Sequence, residues 1–124
     1  MQLSTVSESS ITNDSTCNLS DAIDCVKGGA SGTANGATCT AANGYHGCGG
    51  PASDQYVFLD DTNYPIYLIS STQVIPSGVT LEIIGGDLPG DSFIKMTGAG
   101  AAFSVASNGV FYTNSLTILH NCRR

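Results

Sequence analysis

Five cysteines, one adjacent pair of acids and five tyrosines are the residues of this chain best suited to chemistry. Cys17, Cys25, Cys39 and Cys48 form an even set separated by gaps of seven, thirteen and eight residues, and Cys122 stands far downstream. A structural zinc site usually brings cysteines in close pairs such as C-x2-C, which these gaps do not provide. The spacing therefore points to two disulfides in an oxidising compartment, with three connectivities open. Cys122 is left as a free thiol or as half of an intermolecular bridge.

In "LDDTN", Asp60, Asp61 and Asn63 supply the oxygen ligands that calcium prefers, and they equally suit a solvated turn. Tyr56, Tyr64, Tyr67 and Tyr112 offer flat rings of the kind that stack on sugars. A glycan lyase or hydrolase would need several acids converging on one groove, drawn here from Asp54, Asp60, Asp61, Glu82, Asp87 and Asp91. Asp87 and Asp91 bracket an "LPG" turn, where aspartate is expected for turn hydrogen bonding alone. His46 and His120 have no serine or cysteine nucleophile motif around them, so no triad follows. The patterns "GAG" and "GCGG" are neither a dinucleotide fingerprint nor a P-loop. No cofactor is expected, calcium at the Asp60–Asp61 turn aside.

The elements that must position these residues follow from composition. At 124 residues the chain is read as a single domain, 1–124. Ten acids against four bases give a net charge of -6, and the scattered bases form no patch for phosphate, which argues against nucleic acid. No apolar run approaches the length needed to span a bilayer, so no membrane span is expected. After Met1 the chain reads "QLSTVSESS", without the basic and apolar regions of a signal peptide. Only 11% of residues are charged, and Ser, Thr, Asn and Gly supply the polarity, a composition that fits a secreted or cell-surface protein.

Residues 2–16 read as an edge strand or a loosely held arm. In "CNLSDAIDCVKGG", Leu19, Ala22, Ile23 and Val26 share one helical face, Asn18 serves as N-cap with Asp21 three residues on, and Gly28-Gly29 supplies the stop. Residues 28–55 form a glycine-rich loop with too little apolar content to order itself without crosslinks. From Tyr56 onward seven short strand candidates follow with no helical periodicity: "YVFLD", "PIYLIS", "VTLEIIGG", "SFIKMTG", "AAFSVAS", "GVFYTN" and "SLTILHN". The alternating segments Val79–Ile83 and Ala101–Val105 lie 22 residues apart, which would suit one solenoid coil of three strands and three turns. Phe103–Val105 and Leu116–Ile118 form similar triplets.

The string "CNLSDAID" resembles the C-S-L-R-E-A-I motif that opens a group of secreted bacterial right-handed parallel β-helix proteins with the pectin-lyase-like fold. The stretches "QYVFLDDTNYPIYLISSTQVIPSGVTLEIIGG" and "AAFSVASNGVFYTNSLTILHN" are similar to that family's following rungs, so the likeness covers most of residues 17–121. Ser20-Asp21 replaces the family's Arg-Glu, and Cys25-Val26 replaces its Ala-Asn. The resemblance implies an all-β right-handed parallel β-helix of two to three coils over 56–124, capped by a helix and a disulfide-linked loop in 1–55. Cys48 occupies the place of a cysteine found in the family, which implies the pairs Cys17–Cys48 and Cys25–Cys39.

Members of this group usually continue for many coils, so the chain reads as the N-terminal portion of a longer solenoid whose C-terminal strand edge self-associates into a homo-oligomer. The expected role is a structural or adhesive module. A polysaccharide-binding or polysaccharide-degrading protein is the alternative. Ice binding would need regularly spaced threonines, and Thr80, Thr97, Thr113 and Thr117 do not repeat at one interval.

Overall fold

The computed structural model describes residues 2–6, 8–12, 16–27, 32–39, 54–59, 66–85 and 92–119. Within them the chain is mostly β, with parallel sheets, one short helix and one disulfide. Strand β1 (Gln2–Val6) precedes helix α1 (Leu19–Lys27) and a small hairpin, β2 (Thr33–Ala34) and β3 (Ala37–Thr38). Eight strands follow: β4 (Asp54–Leu59), β5 (Ile66–Ile69), β6 (Gln73–Ile75), β7 (Thr80–Ile84), β8 (Ser92–Met96), β9 (Phe103–Val105), β10 (Val110–Asn114) and β11 (Leu116–Leu119).

From β4 onward, every strand with a partner further along the chain pairs in parallel with the strand three places on. This gives the sheet orders β1-β4-β7-β10, β5-β8-β11 and β6-β9. Alternating burial drives the pairing. Val57 and Leu59 on β4, Leu81 and Ile83 on β7, and Ile94 and Met96 on β8 all turn into one apolar core. Register stacks like on like there: Val57 opposite Ile83, Tyr67 opposite Ile94, and Ile69 opposite Met96. Such columns keep each pleated face apolar, because a slip of one residue would turn the whole set outward.

The 22-residue offset does not describe this stacking. Leu81 pairs with Phe111, and Phe103 pairs with Gln73, so Ala101–Val105 lies in a different sheet from Val79–Ile83. Likewise Phe103–Val105 is on β9 and Leu116–Ile118 on β11, again in different sheets. The register instead runs at 30 residues from Gln73 opposite Phe103 to Ile84 opposite Asn114. Turns lock it: Val79 N–H donates to the Pro76 carbonyl (3.2 Å) and Gly109 N–H to that of Ala106 (2.8 Å). Gly78 (φ 83°) and Asn108 (φ 66°) take the same left-handed corner, and the Gly78 N–H donates to the Asn108 carbonyl across the stack (3.1 Å). A side chain on Gly85 would run into the Ser115 carbonyl of the next layer, so glycine is required there by close approach rather than by φ.

Helix α1 forms as its pattern predicts. Asn18 Oδ1 accepts the Asp21 N–H (2.9 Å) and Asp21 Oδ2 accepts the Asn18 N–H (3.3 Å), a reciprocal cap with aspartate in the usual glutamate place. Leu19, Ala22, Ile23 and Val26 are buried in the same core as Val57, Tyr67 and Ile75, where the helix packs against β1, β4, β5 and β6. The exposed Asp24–Lys27 pair (3.0 Å) adds little.

Two short elements differ from the sequence reading. The strand β6 lies in "TQVIP", where too few apolar residues stand together to read as a run. Within the expected loop 28–55, Asn35 (φ 52°) and Gly36 (φ 80°) make the two-residue turn of the β2–β3 hairpin.

Candidate functional site

The cysteines divide by position. Cys25 on α1 and Cys39 just after the hairpin are joined by a disulfide with a Cα–Cα separation of 5.7 Å, and with Ala34 they make a small second core. Cys17 is also disulfide-bonded, its partner lying outside the described residues. Cys48 and Cys122 are outside them too. So are Asp60, Asp61, Asn63 and Tyr64, together with His46, His120, Asp87 and Asp91.

Under α1 lies a polar cleft of about 220 Å³. It is lined by Asn18, Asp21, Asp24, Asn35 and Gln73, among others. Most of these groups are occupied in holding the cap. Asn35 Nδ2 donates to Asp21 Oδ1 (2.8 Å), tying the hairpin tip to the helix N-terminus, and Asn18 Nδ2 donates to the Thr12 carbonyl (3.0 Å). Gln73 is 4% exposed; its Nε2 donates to the Ser71 carbonyl (2.9 Å), while its Oε1 is closed to solvent and has no partner. An oxygen shut off in this way offers nothing to a ligand entering the cleft. The cleft is thus the seam between helix, hairpin and the corner before β6.

The opposite end of the stack lacks any such cover among the described residues. Strands β9, β10 and β11 each form the last edge of their sheets. Their inward positions are only partly buried: Phe103, Phe111, Leu116 and Ile118 pack against the core from its margin, and Phe103 stacks on Phe111 with ring centroids 4.4 Å apart. Ile75 and Val105 share one register position, yet Ile75 is fully buried and Val105 is 45% exposed. The same contrast holds along the first sheet, where Val57 and Ile83 are buried and Thr113, next in register, is exposed.

The tyrosines separate as well. Tyr67 is completely buried opposite Ile94, so neither face of its ring is open to a sugar; its side chain serves the core, which corrects its assignment as a stacking residue. Tyr56 on β4 and Tyr112 on β10 lie on the outer face of the first sheet, half-buried and 57% exposed respectively. Between them stands Glu82 of β7, in register with both. Sequence reasoning treated Glu82 only as one scattered acid, because its alignment with the tyrosines depends on the 30-residue repeat. Among the described residues, no hydrogen bond or ion pair engages either phenol or this carboxylate.

No protein-family model matches the chain, and neither a curated protein nor a solved structure does. No helix among the described residues is long and apolar enough to cross a membrane.

Proposed function

We infer that this chain is a structural and adhesive module of a secreted or cell-surface protein. It is a short right-handed parallel β-helix, capped by α1 and its disulfide-linked hairpin, that stacks through its uncovered coil onto a second copy of itself. The three-strand pairing interval supports the helical winding, and the strong preference of parallel crossovers for one hand supports its sense. The likeness of "CNLSDAID" to the opening motif of secreted β-helix proteins points the same way.

The observation that carries the reading is the exposure of Val105, where Ile75 one layer below has none. A parallel coil satisfies its backbone and buries its inward side chains only through its neighbours, so a layer without a neighbour keeps both apolar surface and hydrogen-bonding edge available. A second copy supplies both complements.

Size-exclusion chromatography with light scattering tests this directly. The chain is expected to run as a dimer or larger at tens of micromolar and to dissociate when Val105→Lys places a charge in the uncovered layer. A clean monomer across that concentration range overturns the proposal.

A further inference from the structure

We propose that Tyr56, Glu82 and Tyr112 form a binding strip for an extended β-linked glycan free of acid groups, with amino-bearing chains preferred. The proposal rests on the adhesive part of the preceding reading and gives it a ligand class. The strip runs across three adjacent strands, perpendicular to them, with one side chain from each. Strands in a sheet lie about 4.8 Å apart, so the two rings are spaced by about 10 Å with the carboxylate midway. That spacing suits two consecutive sugars of an extended chain: one on each ring, and the groups between them facing Glu82.

Each part has a chemical task. A phenol ring presents an apolar face to the C–H face of a sugar and keeps its hydroxyl for a polar contact. The Glu82 carboxylate accepts hydrogen bonds from sugar hydroxyls or from an ammonium group. A cation held between two aromatic faces gains further from their quadrupoles.

Charge selects among glycans. No basic residue occurs in β4, β7 or β10, Glu82 is the one charged residue at the outward positions of β7 and β10, and the chain as a whole carries a net charge of -6. A polyuronate would meet repulsion here with no cation to offset it, whereas an amino-bearing chain meets attraction. Thr80, Asn114 and the half-buried Phe58 and Ile84 flank the strip at neighbouring register positions, extending a surface of mixed polar and apolar character.

Calorimetric titration of the full chain with chitosan oligosaccharides, cello-oligosaccharides and oligogalacturonate tests the strip. Binding is expected for the first two, tighter for the amino-bearing chain, and none for the acidic one. Tyr112→Ala should lower affinity at least tenfold and Tyr112→Phe should largely retain it, while Glu82→Gln should remove the preference for amino over neutral chains. Tyr112 is exposed, so its replacement leaves the core intact, and Glu82→Gln reads the same site without removing a ring. Failure of both non-acidic glycans to bind overturns the proposal, as does oligogalacturonate binding at least as tightly or an unchanged affinity in Tyr112→Ala. Light scattering on the same samples separates the two readings: glycan binding without association rejects only the stacking of copies, and association without glycan binding rejects only the strip.

Discussion

The two ends of the sheet stack meet the same physical problem in opposite ways. At the end bearing α1, an amphipathic helix lays Leu19, Ile23 and Val26 over the apolar interior, and a hairpin joined to it by Cys25–Cys39 covers the flank. At the end bearing β9, β10 and β11, inward residues of the same chemical type stay partly exposed among the described residues. Burial in this architecture belongs to the layer above and the layer below rather than to the residue. Ile75 and Val105 differ by one methylene and occupy equivalent sites, yet only one of them is core.

Matched truncations of that pair probe the difference most strongly. Ile75→Ala should cost about 2–5 kcal/mol, the usual range for emptying a filled core site, whereas Val105→Ala should cost under about 1 kcal/mol in the dissociated chain. Urea denaturation at submicromolar concentration measures both. Equal losses would mean that the two ends are not distinct, and a Val105→Ala cost that grows with protein concentration would sharpen the case for stacking.

The cap is expected to depend on its crosslink. Cysteines 14 residues apart close a loop whose constraint is worth about 3 kcal/mol in the chain-entropy model. Replacing both Cys25 and Cys39 by serine should reduce stability by that order. It should also raise amide hydrogen exchange in 33–38 well above that in β7 and β8. Uniform acceleration across all strands would show that the cap folds as one unit with the sheets instead of covering them.

A smaller effect is expected at the helix start. Asn18→Ala removes the acceptor for the Asp21 N–H and the donor to the Thr12 carbonyl, and should cost about 1 kcal/mol. The loss should appear as fraying of α1, measured by hydrogen exchange at Asp21 and Ala22. If protection there is unchanged, packing of Leu19 and Ile23 alone holds the first turn.

Much of the capped end was legible in the residues. The helical face, the Asn18 cap and the helix limits follow from local spacing, because helix periodicity and capping act over three or four residues. All seven strand candidates after Tyr56 coincide with strands, since short alternating runs between turn residues leave little else to form. Two pieces were hidden. The β2–β3 hairpin sits in a low-complexity stretch where only Asn35-Gly36 marks it, and β6 has two apolar residues to announce it. The stacking repeat was read at 22 residues instead of 30. Over residues 73–84 and 103–114, only Ser77 and Ser107 are the same residue type, so the repeat survives as turn geometry and inward alternation rather than as identity.

The sequence by itself determined the local events: a capped amphipathic helix, short strands, tight corners at Gly78 and Asn108, and cysteines in a segment too poor in apolar groups to hold itself. Those properties depend on neighbours a few residues away. The tertiary structure decided which strand lies on which. It thereby placed Tyr67 in the core, set Glu82 between Tyr56 and Tyr112, and left Val105 at a margin while Ile75 lies beneath a further layer. Parallel pairing joins residues dozens of positions apart through backbone groups common to every residue. Register is therefore settled by the summed fit of inward side chains and stacked turns across the whole layer, which no single segment encodes.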